Sequence, residues 1–215
     1  ISGQSMKIER TEGRYITESH EAGDSNLFAR KYYLNTFAAY SFSTIDNPLY
    51  PRKGIRIITR ADYTANPGEK KSFAKLSLEI SNFFSAGSFT FALRNGVSAN
   101  IGNGFEFFQA NTLGGTETLR GFRRDRFSGK TRLFNNAELR FRLSRAKGYI
   151  LRGDYGLFGF FDNGRVWIPG EKSDTWHQGF GGGIFFLAYN RLPFTVAYAA
   201  SKEDNLITVK AGFLF

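Results

Sequence analysis

Cysteine is absent from the chain, which excludes disulfide stapling, thiolate chemistry and cysteine-based zinc sites. The absence is compatible with an oxidising compartment and identifies none. No apolar run reaches the roughly 18 residues that a transmembrane helix requires. The opening ISGQSMKIER has no apolar segment of the kind a signal peptide needs. The only two histidines, His20 and His177, stand far apart and neither has a ligand-spaced partner. HExxH, a nucleophile elbow and a P-loop are all missing. The acids of DYTANPGEKK (62–71) read as a hairpin end, and GFGGG (179–183) lacks the GxGxxG spacing. Neither a metal, a cofactor nor an enzymatic activity is expected.

Proline is scarce too, at five residues, whereas Phe and Gly each number 24 and Tyr 10. Aromatic residues favour strands and glycines mark bends and close approaches, so the mixture suits β structure and not a helical bundle. The length of 215 residues suits one domain. The formal charge of +10 comes from basic residues scattered at strand-like spacing, not gathered on one helix or tail. Such a balance suits anionic lipid headgroups or lipopolysaccharide, or only solubility, and the scatter argues against nucleic acid.

A period of two runs through the sequence. In ITVKAGFLF, Ile207, Val209, Ala211, Phe213 and Phe215 share one face. In SFTFALRNGVSANI, Phe89, Phe91, Leu93, Val97 and Ile101 oppose Thr90, Arg94, Ser98 and Asn100. In NNAELRFRL, Ala137, Leu139, Phe141 and Leu143 oppose Asn136, Glu138, Arg140 and Arg142. The pattern predicts strands near 30–46, 54–66, 72–84, 87–101, 132–144, 149–167, 177–189, 192–200 and 206–215, with a weak further one near 3–17. Short links alternate with long ones, the longest at 102–131, as in a meander with two unlike ends.

Strands this long fit a tilted transmembrane wall, which must close so that no backbone edge is left unpaired in lipid. Charged faces could then line a wet lumen, while Tyr32, Tyr33, Tyr155, Trp167, Trp176 and Tyr189 could form aromatic girdles. A soluble sandwich or small barrel shows the same alternation, with the apolar face as its core. The long loop carries TLGGTETLRGF. If it folds into a polar lumen, Arg120 needs an acceptor, and Glu138 and Asp162 lie on inward faces of later strands. If it stays outside, Arg120 is exposed and Glu138 only balances Arg140. Spacing alone leaves both open. Gly181 and Gly183 could relieve packing beneath an inserted loop, or simply make the wall flexible.

LGGTETLRGF, NNAELRF, FFDNGRVW and the terminal GFLF, in this order, resemble the Omp85 superfamily, the BamA-like or surface-antigen D15 barrel. NPLYPRKGIRI, with Pro51 and Gly54, is similar to a strand opening of that family, and the resemblance covers roughly 28–215. It implies an all-β, transmembrane antiparallel β-barrel in the bacterial outer membrane. About ten strands are visible, against the sixteen usual in the family, so residues 1–215 are expected to be the C-terminal portion of a barrel domain. By position, the resemblance makes Arg120, Gly121 and Phe122 the lumen-loop motif, and Glu138 and Asp162 its wall carboxylates. It makes Val209, Ala211, Phe213 and Phe215 the C-terminal assembly signal. The implied function is assembly or translocation of proteins at the outer membrane, with the barrel-assembly machinery and client proteins as partners. The alternative is a passive anchor for a fused domain such as a metallophosphatase. The run RRDRFSGKT is closest in flavour to barrels of Bacteroidetes.

Overall fold

The structure is a computed structural model and describes residues 2–7, 29–102, 104–147, 152–171, 174–189 and 191–215. Its twelve strands are β1 (Ser2–Met6), β2 (Lys31–Ser43), β3 (Gly54–Asn66), β4 (Lys71–Ala86), β5 (Phe89–Ile101), β6 (Asn111–Leu113), β7 (Phe127–Gly129), β8 (Thr131–Lys147), β9 (Arg152–Trp167), β10 (His177–Ala188), β11 (Leu192–Ser201) and β12 (Asn205–Ala211). Ten form one antiparallel meander in the order β1-β2-β3-β4-β5-β8-β9-β10-β11-β12, and β6 and β7 pair separately as a hairpin. No ladder joins β1 to β12 among the described residues.

The alternation read from the sequence becomes two opposite faces. On β5, Thr90, Arg94, Ser98 and Asn100 are buried, while Phe89, Phe91, Val97 and Ile101 are exposed. On β8 and β9, Asn136, Glu138, Arg140, Asp154 and Asp162 are buried, while Leu139, Tyr155, Leu157 and Phe161 are exposed. The exposed side is thus apolar, and the buried side carries the charged residues together with rings such as Phe134, Phe158 and Phe160, unlike a water-soluble core.

The sheet curls around its polar side. The main-chain oxygen of Glu117 accepts from Arg94 of β5 at 2.8 Å, and the carboxylate of the same residue meets Lys210 of β12 at 3.1 Å. Five strand spacings separate β5 from β12, about 24 Å in a flat sheet, so one residue reaches both only because the sheet bends. The turn between β4 and β5 lies at one end, with the link 44–53. The long segments 102–130 and 168–176 lie at the other, together with the short turns 67–70 and 202–204.

Several boundaries and faces differ from expectation. Only Ser2–Met6 of the stretch 3–17 is seen as strand, and residues 8–28 with His20 lie outside the described residues. The link 102–131 has structure of its own, a 3-10 turn at Phe107–Gln109 and the β6–β7 hairpin, because a buried backbone must pair its polar groups. Tyr33 is no girdle residue. It is buried on the inner face, edge-on to Phe108 at 6.1 Å. Tyr32, Tyr155, Trp176 and Tyr189 are exposed, and Trp167 is half-buried.

The C-terminus departs most. β12 stops at Ala211, whose partner is Phe194. The next rung would fall on Pro193, which has no N–H to donate. Gly212 then takes φ +136°, open to glycine and strained for other residues. The chain turns inward, so Phe213 and Phe215 leave the face of Val209 and Ala211. Val209 is 75% exposed, whereas Phe215 is 8% exposed and packs on Phe83 with a ring separation of 6.0 Å.

Candidate functional site: an inner-face latch

The loop between β5 and β8 lies along the inner face and is fastened at two places. The first fastening is the GFEFF segment. Phe105 packs on Phe73 and Phe108 on Tyr33. Lys31 bridges Glu69 and Glu106, each at 2.9 Å. Asn111, fully buried, accepts from Ser98 and donates to Asn100 and to the Lys130 carbonyl. Nothing in the alternation singled this segment out. Its signal was three phenylalanines in five residues of a loop.

The second fastening is the Arg120 site. The turn before it is closed by Gly114 N–H donating to Thr118 Oγ1 at 3.0 Å and by Gly115 N–H donating to Phe122 O at 3.0 Å. Arg94 and Asn136 of the wall donate to the carbonyls of Glu117 and Thr118. Gly121 has φ +90°, and its carbonyl accepts from Ser201 Oγ at 2.7 Å. Phe122 is buried edge-on to Phe127 and His177. Between these points Arg120 is driven at the wall.

Arg120 Nε and Nη2 donate to the two oxygens of Asp162, both at 2.7 Å, and the Arg120 backbone N–H adds a third bond at 3.0 Å. Arg120 Nη1 donates to Glu138 Oε2 at 2.6 Å. Its guanidinium lies 3.6 Å from the ring centroid of Phe160, a cation–π contact. Glu138 Oε1 accepts from Arg140 Nε at 2.8 Å. The site therefore holds two guanidiniums and two carboxylates, with Arg140 and Asp162 at 0% exposure. Burying such charges is tolerable only when each is paired and hydrogen-bonded, and the fork geometry of Arg120 achieves this with both acids.

The loop can come this close because β10 offers no side chain there. A Cβ at Gly179 would overlap the Arg120 carbonyl oxygen. The sequence pointed instead to Gly181 and Gly183. Those glycines lie beneath the rings of Phe160 and Phe158, aromatic packing within the wall and not contact with the loop.

The structure thus brings Arg120, Gly121, Phe122, Glu138 and Asp162 together, leaves Val209 and Ala211 on the exposed face, and turns Phe213 and Phe215 inward beside the site. Arg140 was read from the sequence as a charge on the lumen side and as a partner of Glu138, and the structure adds its contacts to the last residues. Arg140 Nη2 donates to Phe215 O at 3.1 Å and Nη1 to Pro51 O at 3.3 Å, and its guanidinium lies 4.0 Å from the Phe213 ring centroid. Tyr50, in the link between β2 and β3, completes this pocket against Phe185 and Phe213. These contacts join residues up to 89 positions apart, beyond the reach of any local pattern.

The contacts of the site are ion pairs, hydrogen bonds and a cation–π contact. No group of three His, Asp or Glu side chains that could hold a metal occurs among the described residues. A curled antiparallel sheet, polar within and apolar without, with an internal loop held by an arginine between two wall carboxylates, defines a class of β-domain. The chain belongs to the Omp85 superfamily, whose domain it matches over residues 10–215. Domains of this superfamily are not catalytic. Its fold is similar to the crystal structure of BamA from Haemophilus ducreyi lacking POTRA domains 1–3, with a TM-score of 0.68 at 13% identity. The similarity covers 85% of this chain and 44% of that one, so the chain spans less than half the length of that structure. No curated protein matches it.

Proposed function

We propose that residues 1–215 are the C-terminal portion of an Omp85-type β-barrel in the bacterial outer membrane that aids the insertion or passage of proteins there. Its partners on this reading are outer-membrane lipid with lipopolysaccharide, the barrel-assembly machinery and client proteins. The observation that carries the reading is the division of faces. Large apolar side chains such as Leu76, Phe91, Leu139, Leu157 and Ile184 are exposed, while Arg120, Glu138, Arg140 and Asp162 are buried. Water would penalise that exposed surface, whereas a bilayer takes it as an outer apolar band. The strands of the main sheet from β2 to β11, 10 to 17 residues long, suit the same solvent. For transport, the edge of β12 is the relevant feature, because its ladder with β11 ends after seven pairs and an unpaired edge can accept another strand.

The passive-anchor reading draws on one observation, the filling of the inner space by the loop and the C-terminal residues. The two readings separate in a reconstitution of the full-length protein into liposomes containing lipopolysaccharide. A urea-unfolded client barrel is added, and its folding is followed by heat-modifiable mobility. Faster folding than in empty liposomes supports assembly. An equal rate, with the protein itself folded, rejects it in favour of the anchor.

A further inference from the structure

Glu138 is shared. One oxygen belongs to Arg120 of the loop and the other to Arg140, and Arg140 in turn holds the C-terminal residues. We infer that Arg140 is a positioning residue that couples the loop latch to the C-terminal tail, residues 212–215, so that releasing either one loosens the other.

Four observations bear on this. First, the tail is held in the interior by contacts that a β-ladder does not supply: the Phe213 ring against Tyr50 and Phe185, each at 5.3 Å, and the main-chain oxygen of Phe215 on Arg140. Second, the tail is fitted to leave the ladder, with Gly212 at positive φ opposite the Pro193 rung. Third, the site's charges balance only as a set. Two cations face two anions, so freeing Arg140 or Arg120 changes what Glu138 must satisfy. Fourth, loop and tail meet across a cavity of about 30 Å³, lined by Thr116, Arg120 and Glu138 on one side and by Phe213 and Leu214 on the other. The hydrogen-bonded route from Arg120 to the tail runs through Glu138 and Arg140, beside a route of ring contacts from Phe160 through Phe158 to Phe213; substitution at Arg140 tells the two apart.

Coupling between two sites is reciprocal. If loop release opens the tail by some factor, tail release opens the loop by the same factor, and couplings of this kind run from about 5-fold to 150-fold. The test uses the full-length protein in micelles, where the lack of native cysteine allows single reporters. Leu214→Cys reports the tail and Thr118→Cys the loop, each by its rate of maleimide labelling. Arg120→Ala is expected to raise labelling at position 214 by a factor in that range. Phe213→Ala with Phe215→Ala is expected to raise labelling at position 118 by a matching factor. Arg140→Met is expected to break the link, so that Arg120→Ala in that background no longer changes the rate at 214. Phe73→Ala, which loosens the loop's other fastening, serves as the control for general destabilisation. The coupling is overturned if Arg120→Ala exposes position 118 but leaves 214 within twofold. It is overturned equally if Phe73→Ala raises the rate at 214 as much as Arg120→Ala does.

Discussion

Removing Arg120 alone should cost more than removing Arg120 together with one of its acids. Arg120→Met keeps much of the side-chain volume and deletes the charge. Asp162 then loses both side-chain donors and keeps only the backbone N–H of residue 120, while Glu138 keeps Arg140. Asp162 becomes a carboxylate at 0% exposure without a counter-charge. Breaking a buried pair in this way costs about 3–5 kcal/mol. The double variant Arg120→Met/Asp162→Asn removes one cation and one anion, so the surviving Glu138–Arg140 pair stays neutral. More hydrogen bonds are lost, yet about 1–3 kcal/mol should return, the usual cost of an unsatisfied buried group. Urea titration in micelles reads both, with intrinsic tryptophan fluorescence and heat-modifiable mobility as signals. With a slope near 2 kcal/mol per M, the single variant should lower the midpoint by about 2 M and the double by roughly half of that. A double variant less stable than the single one would refute charge balance as the reason the site holds together.

Three further outcomes follow from particular contacts. Gly179→Ala puts a methyl group where the Arg120 carbonyl lies and should loosen the loop by about 1–3 kcal/mol without touching an ion pair; protease cleavage within 114–126 should appear in this variant and not in Gly182→Ala. Leu157→Arg, on the outer face, should cost about 2–4 kcal/mol if that face meets the middle of a bilayer and almost nothing if it meets water; comparing folded yield in liposomes with that of Thr208→Arg, on the inner face, distinguishes the two. The carboxyl of Glu69, hydrogen-bonded by Lys31 and then Lys71, is held below its ordinary value of 4.5. Its contribution is therefore present above that value and lost as pH falls through the lowered one; protection of the amides at 104–110 from hydrogen exchange, relative to their intrinsic rates at each pH, should fall over this range, and Glu69→Gln should weaken the dependence.

Much of this was legible in the residues. A period of two over ten or more residues admits little besides a strand, so the meander and which residues share a face could be read for the main-sheet strands from β2 to β11, though not for the hairpin β6–β7. The wall acids were legible for the same reason, because Glu138 and Asp162 fall on the polar side of strands whose other side is apolar. The latch partner Arg120 stood out through glycine spacing and through its likeness to a family motif. The first fastening, at GFEFF, and the role of Tyr50 were not legible, since a loop has no period to reveal which side chain turns inward.

The sequence by itself determined that long strands would alternate between a charged and an apolar face, since each side chain's side follows from the pleat and needs no knowledge of neighbours. Only the tertiary structure decided which side was enclosed, that Glu138 would serve two arginines, and that Phe213 and Phe215 would abandon the face their spacing assigned them. Alternation holds only while the backbone stays extended, and it ended at one glycine beside a proline that could not continue the ladder. What the chain did beyond that point was set by a buried arginine some 75 residues away in sequence.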